Sequence, residues 1–108
     1  MLDDNIILGV SSPKKDVDGP YAIVVKGENW AIVVFEFQDT PSLGIRWFHT
    51  PHGMPTVRGN IPVWYRIPAE LNDIIINGLN IDPDNKKIIK EYLDKKINSE
   101  QLKQNYKS

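Results

Sequence analysis

The pattern of hydrophobic and polar positions changes near Pro68 from a period of two residues to a helical period. Before this point the clearest feature is a pair of runs rich in β-branched and aromatic residues, 21–25 and 30–37, joined by the Gly-containing residues 26–29. Two such runs with a short connection predict a β-hairpin. Its second arm is apolar on both faces until Glu36. We therefore expect it in the centre of a sheet, with helix on one face and another segment covering part of the other.

Three further segments predict strands. Residues 5–10 form a short apolar run, followed by a polar loop over residues 11–20. Residues 43–49 and 61–67 alternate in the manner of half-buried strands. Pro62 lacks an N–H and indicates an edge position or the start of a strand. The prediction is an antiparallel sheet of about five strands over residues 5–67.

Two helices are predicted after Pro68. Leu71, Ile74, Ile75 and Leu79 fall at helical spacing, and Gly78 indicates a helix end, which predicts a first helix over residues 69–78. Asp82 followed by Pro83 is a strong start signal for a second helix over residues 83–104. Its apolar stripe consists of Ile88, Ile89, Tyr92, Leu93 and Ile97. Near residues 98–99 the helix either continues or ends, with a new capped turn following.

Strands followed by helices predict an α+β fold in which an antiparallel sheet packs on C-terminal helices. The length of 108 residues suits one domain over residues 1–108. The net charge of −1 disfavours broad nucleic-acid binding, and the absence of cysteine excludes thiolate chemistry. No run is long enough for a membrane helix and no signal peptide is recognisable, so we expect a cytoplasmic, soluble protein without membrane contact. No cofactor is predicted.

Residues 43–67 hold two of the three Trp, both His and all three Arg of the chain. Arg46, Phe48, Trp64 and Arg66 are predicted on one outer sheet face, where an aromatic and cationic patch suits a protein interface or single-stranded nucleic acid. The alternative is structural. In that case the loop after residue 49 covers Trp64, and Arg46 packs across an aromatic ring as a cation–π contact.

The loop over residues 50–60 is longer than a usual hairpin connection, which favours a shaped, functional loop. Arg58 and Asn60 could bind an anion or a carboxylate, or they could only form a turn. His52 belongs to the same predicted binding surface. His49 and His52 are three residues apart, but a metal site needs a third ligand that the sequence does not supply, so none is predicted.

An acidic set, which includes Asp16, Asp18 and Glu36, could meet a basic partner such as a nuclease. The functional prediction is a small protein-binding module of the immunity or inhibitor type, from a bacterium or phage, which neutralises a toxin or enzyme by covering its surface. It is not expected to be an enzyme. Two alternatives are a single-stranded nucleic-acid-binding protein and a small hydrolase that depends on His49 or His52. A homodimer is also compatible with the predicted sheet edge.

Overall fold

The computed structural model of the protein describes residues 2–49, 53–58 and 60–107. Helices lie at both ends of the chain and strands lie between them. In chain order the elements are α1 (Asp4–Leu8), β1 (Val17–Lys26), β2 (Trp30–Phe37), β3 (Thr40–Trp47), β4 (Thr56–Val57), β5 (Ile61–Pro62), β6 (Tyr65–Arg66), a 3₁₀ turn (Ala69–Leu71), α2 (Asn72–Gly78), α3 (Pro83–Leu93) and α4 (Ser99–Asn105). The predicted α+β fold is confirmed.

The main sheet has four strands in the order β1-β2-β3-β6, and all its pairings are antiparallel. The predicted hairpin is present: β2 has the predicted bounds, and Lys26 pairs with Ala31 across the turn. Strand β1 begins at Val17, earlier than predicted, and its pairing with β2 has register shifts on either side of residues 22–23. Strands β4 and β5 form a separate two-stranded sheet.

Strand β2 is buried on both faces over residues 31–35, as its pattern predicts. Ile32 and Val34 join the helical core, which also contains Leu43, Ile67, Ile76, Ile89, Tyr92 and Leu102. Ala31, Val33 and Phe35 join the N-terminal core, which also contains Leu2, Ile7, Val10, Val17, Phe48 and Trp64. The sheet therefore lies between two apolar layers. One is made by the C-terminal helices, and the other by α1 and the segments that flank the loop after residue 49.

The predicted first strand, residues 5–10, is wrong, because this segment contains helix α1. The carboxylate of Asp3 accepts a 2.7 Å hydrogen bond from the backbone N–H of Asn5 and so caps the helix. Leu2 and Ile7 are buried against the sheet face opposite the C-terminal helices. Since an apolar run of six residues fits either a strand or a short helix, its period does not distinguish the two.

The predicted strand over residues 61–67 is divided between two sheets. Ile61–Pro62 pairs with β4, whereas Tyr65–Arg66 pairs with β3. Between them, Val63 forms a parallel bridge with Ser12 and donates its N–H to the Pro55 carbonyl oxygen at 3.1 Å. The side-chain alternation assumed for one continuous strand therefore does not hold across Pro62 and Val63.

The second C-terminal helix begins where it is predicted to begin, but it ends earlier than predicted. The Asp82 carboxylate accepts a hydrogen bond from the Asn85 N–H, and Pro83 opens α3 as predicted. The predicted helix over residues 83–104 is interrupted, because Lys95 has φ of 64° and Asn98 caps a new helix, α4. Asn98 and Gln101 exchange side-chain to backbone hydrogen bonds of 2.9 Å, a complete capping box. Within the described residues, no helix combines the length and the apolar content needed to cross a bilayer.

Candidate functional site

The predicted outer patch of Arg46, Phe48, Trp64 and Arg66 is not an exposed surface. Arg46 is only 1% exposed and Trp64 only 8%, and Phe48 is buried beside them. The Trp64 indole donates a 2.8 Å hydrogen bond from Nε1 to the Val10 carbonyl oxygen. Of the four side chains, Arg66 alone is exposed. The patch prediction is therefore wrong for the other three, because the N-terminal segment and residues 53–55 cover this sheet face.

Arg46 has the structural role that the alternative interpretation describes. Its guanidinium carbon lies 4.9 Å from the centroid of the Phe48 ring. Its Nη1 donates hydrogen bonds to the carbonyl oxygens of Pro55, at 2.7 Å, and Val63, at 2.9 Å. Burial lowers the pKa of Arg46 from its usual value, since desolvation disfavours the charged form. Arg46 thus ties two chain segments to the sheet and is not available to a partner.

The remaining candidates of the 43–67 segment are dispersed. Arg66 donates from Nε to Ser42 Oγ at 3.0 Å and stacks over Phe37. Arg58 is exposed, has φ of 47°, and lines a cavity of about 520 Å³ together with Lys15. Asn60 is exposed in a turn. His52 lies outside the described residues. The anion-binding interpretation of Arg58 stays a prediction.

The predicted acidic residues do come together. Asp18 and Glu36 are cross-strand partners, and their carboxylate oxygens lie within 4.8 Å of one another and of an Asp39 oxygen. Asp16 lies next to this group, bonded to Gln38 Nε2 at 3.3 Å. Such clusters are common on surfaces without any ion. One consequence is local: burial, together with the negative charge of Glu36, raises the pKa of Tyr92, whose hydroxyl donates to Glu36 at 3.3 Å.

A largely apolar groove of about 730 Å³ lies between the sheet edge and α2. Sequence analysis did not identify it. Trp47 and Tyr65 lie on the sheet side and are 44% and 49% exposed. On the helix side Ile74 is 69% exposed and Leu71 is also exposed. Contiguous apolar surfaces often mark interaction sites, whereas single exposed apolar residues are ordinary.

The groove has two different walls. The helix wall is formed by positions with spacing i, i+3, i+4, i+7 and i+8, namely Leu71, Ile74, Ile75, Gly78 and Leu79. The opposite wall carries Trp47, Tyr65 and the charged Arg66. Next to it Met54 pairs with Trp47 through hydrogen bonds of 2.8 and 2.9 Å. Directly opposed residues of antiparallel strands share a sheet face, so Met54 enlarges the same apolar surface.

One signal in the sequence could have indicated this groove. Helix α2 carries three successive isoleucines, 74–76, and is flanked by Leu71 and Leu79, which is more than one buried stripe requires. Of the three isoleucines, Ile76 alone is buried. Helical spacing alone does not show which of these apolar residues are exposed, because periodicity gives a direction but not the place where the sheet ends.

Charged residues surround α2 at positions that do not line the groove. Glu70 and Asp73 are exposed near the start of α2. At its end, Lys86 and Lys90 of the neighbouring helix α3 donate to Asn77, the first to its carbonyl oxygen at 3.3 Å and the second to Oδ1. Cations at a helix C-terminus and acids at its N-terminus both agree with the helix dipole. The surroundings of α2 are therefore acidic at its start and basic at its end.

The groove and the acidic group lie on separate parts of the surface. The groove is apolar and open, the acidic group lies on another part of the sheet, and the aromatic and cationic residues expected outside are largely inside. No protein-family model, curated protein or solved structure matches this chain.

Proposed function

We propose that this chain is a small cytoplasmic protein-binding module, which acts by covering the surface of a partner in the manner of an immunity or inhibitor protein. The observation that carries the proposal is the apolar groove between Trp47, Tyr65, Leu71 and Ile74. Exposed Trp and Tyr at the centre of an apolar surface are typical of residues that supply most of the energy of an interface. A toxin or an enzyme is the expected partner, and the absence of cysteine suits a reducing compartment.

The alternative functions have less support. Binding of single-stranded nucleic acid is disfavoured by the net charge of −1, and of the rings predicted for base stacking Phe48 and Trp64 are buried. The exposed rings of Trp47 and Tyr65 lie in the groove, whose lining is mainly apolar. A hydrolase would need a nucleophile or a second acid–base group next to a histidine. His49 is exposed, and no described contact joins its side chain to such a group.

The experiment is affinity capture from a lysate of cells that carry the gene, with three forms of the tagged protein. Ile74→Asp places a charge in the groove. Ile6→Asp is the matched control, since Ile6 is 50% exposed on α1, away from the groove. We expect one stoichiometric protein with the wild type and with Ile6→Asp, and its loss with Ile74→Asp. Equal unfolding midpoints of the two variants would show that the fold is retained.

Two results would overturn the proposal. One is capture of the same partner at equal yield by all three forms, which would place the binding surface elsewhere. The other is recovery of nucleic acid, or of no stoichiometric protein, by the wild type. Because the two variants make the same change at similarly exposed isoleucines, a general effect of a new surface charge would appear in both.

A further inference from the structure

A second cavity, of about 520 Å³, lies apart from the apolar groove, and its described lining residues are all different from those of the groove. One wall is the turn that follows Ser12, and the facing wall is the hairpin formed by β4 and β5. Small-ligand sites typically have volumes of roughly 300–1,000 Å³. The size of this cavity therefore suits a small organic molecule. The residues that line it are Ser12, Pro13, Lys15, Val57, Arg58 and Ile61.

Much of the cavity lining is apolar. Val57 and Ile61 are direct partners across the hairpin of β4 and β5, so their side chains lie on the same face. Both side chains are exposed and both line the cavity. Pro13 contributes an apolar ring from the other wall. A ligand that covers these side chains removes apolar surface from water, which favours a ligand with an apolar body.

The two walls of the cavity are fixed by hydrogen bonds. Val63, which follows β5, forms a bridge with Ser12 and donates its N–H to the Pro55 carbonyl oxygen at 3.1 Å. The buried Arg46 donates to the carbonyl oxygens of both Pro55 and Val63, at the base of the hairpin. The Pro13 carbonyl oxygen closes the facing turn by accepting backbone hydrogen bonds of 3.0 and 2.9 Å. A cavity between walls held in this way needs little reorganisation to receive a ligand.

Each wall carries one cation at the cavity. Lys15 lies in the turn and Arg58 in the hairpin connection. Within the described part of the chain, neither side chain forms an ion pair, and no acidic residue lines the cavity. The carboxylate that follows Lys15 in the sequence, that of Asp16, is bonded to Gln38 Nε2 at 3.3 Å. Two cations beside an apolar surface are complemented by a ligand that combines an anionic group with an apolar body.

The backbone at Arg58 supports a role for its side chain. Its φ of 47° lies in the left-handed region, which glycine and asparagine enter more readily than residues with long side chains. Such backbone conformations occur preferentially at functional sites. The turn by itself does not explain an arginine at this position, whereas binding of a carboxylate does, because the guanidinium group can donate two parallel hydrogen bonds to the two carboxylate oxygens.

We infer that this cavity binds a small organic carboxylate with an apolar body. Arg58 and Lys15 bind the carboxylate, and the apolar body packs on Val57 and Ile61. A second negative charge would cost more to desolvate against the apolar lining, so a carboxylate suits the cavity better than a phosphate ester. The site goes beyond the proposed function, since it shares no described lining residue with the groove.

The test is a titration of the isotope-labelled full chain, followed by the chemical shifts of its backbone amides in NMR spectra. The four probes are phenylpropionate, the neutral phenylpropanol, acetate and phenylpropyl phosphate. We expect phenylpropionate to bind at least about tenfold more tightly than phenylpropanol or acetate, because the first lacks the charge and the second lacks the apolar body. The shifts should be largest at the amides of Val57 and Ile61. Phenylpropyl phosphate should bind more weakly than phenylpropionate.

Three variants locate the binding site. Arg58→Gln should weaken the binding of phenylpropionate by about tenfold, since a charge-assisted pair of hydrogen bonds is lost. Lys15→Gln should weaken it by about threefold, because an exposed, flexible ammonium group contributes less. Lys14→Gln is the matched control: Lys14 is exposed beside Lys15 but does not line the cavity, and the variant should keep the affinity of the wild type.

Four results would overturn the inference. Equal affinity for phenylpropanol and phenylpropionate would show that the cations take no part. An equal loss of affinity in all three variants would indicate only the general field of the protein. Tighter binding of the phosphate ester would contradict the class of ligand. Binding that is unchanged by Arg58→Gln but lost with Ile74→Asp would place the ligand in the apolar groove. None of these results decides whether the groove binds a protein, which affinity capture tests separately.

Discussion

The indole Nε1–H of Trp64 donates a 2.8 Å hydrogen bond to the carbonyl oxygen of Val10 and joins residues that are 54 positions apart in the chain. The same ring packs edge-on against Phe48, with centroids 6.1 Å apart. Gly44 lies beneath it, where a Cβ would come within 3.1 Å of the Trp64 Cβ. Trp64 therefore holds the N-terminal segment on the sheet.

Trp64→Ala should lower the free energy of unfolding by about 3–5 kcal/mol, because it removes a buried aromatic ring and leaves the Val10 carbonyl oxygen without this donor. Denaturant titration measures the change. Trp47→Ala is the comparison at an exposed tryptophan and should cost clearly less. Equal costs at the two positions would contradict the burial of Trp64.

Arg46→Met should destabilise the fold by about 2–4 kcal/mol. The substitution retains most of the apolar side-chain volume but removes the donors to the carbonyl oxygens of Pro55 and Val63, which then lose buried hydrogen bonds. The cation–π contact with Phe48 is lost as well. Arg66→Met, at an exposed arginine over Phe37, should cost less than about 1 kcal/mol. Similar midpoints for the two variants in chemical denaturation would show that Arg46 is not a structural residue.

Tyr106 should make stability depend on pH in the alkaline range. Its hydroxyl donates a 2.8 Å hydrogen bond to the Ile23 carbonyl oxygen. Burial and, after it, the negative charge of Asp82 raise its pKa from 10.0 to about 12. Because the folded-state pKa lies above the ordinary value, this contribution to stability is complete below pH 10 and is lost as the pH rises through about 12.

The comparison of wild type with Tyr106→Phe isolates this effect from other tyrosines. The phenyl ring keeps the packing but has no proton to lose. The free energy of unfolding of the wild type should fall more steeply between pH 10 and 12 than that of the variant. Parallel curves for the two proteins would mean that Tyr106 ionises with an ordinary pKa.

Much of the fold follows from local signals in the sequence. The connection over residues 26–29, the pairing of Asp82 with Pro83, and the spacing of Asn98 and Gln101 each act within a few residues, so one sequence is enough to interpret them. Residues 5–10 are different, because their run is too short to show a period. Asp3 is a helix N-cap signal at the start of α1, but the apolar run that follows it also fits a strand.

The candidate site could not be predicted in the same way, because it depends on where separate elements meet. Trp64 is buried because strand pairing is interrupted at Pro62 and Val63 and because its side chain contacts Val10, which is far away in the chain. The groove depends on β6 ending after two residues and on α2 lying beside it. Neither the contact of Trp64 with Val10 nor the placement of α2 beside β6 follows from alternation, which gives the direction of a side chain but not its neighbours. The pairing of Asp18 with Glu36 could not be predicted from the hairpin either, because Asp18 lies in the predicted loop and β1 has a register shift between Asp18 and Ala22.

The two-sided burial of β2 has a consequence for the chain before it folds. Between Trp30 and Phe35 there is neither a charge nor a proline, and β-branched and aromatic residues predominate. Such a segment is prone to cross-β aggregation whenever it is exposed, and both of its faces are apolar. In the native protein it is shielded by β1 and β3 at its edges and by an apolar layer on each side. Any variant that opens either layer therefore uncovers an aggregation-prone segment, and Glu36 is the first charge that interrupts it.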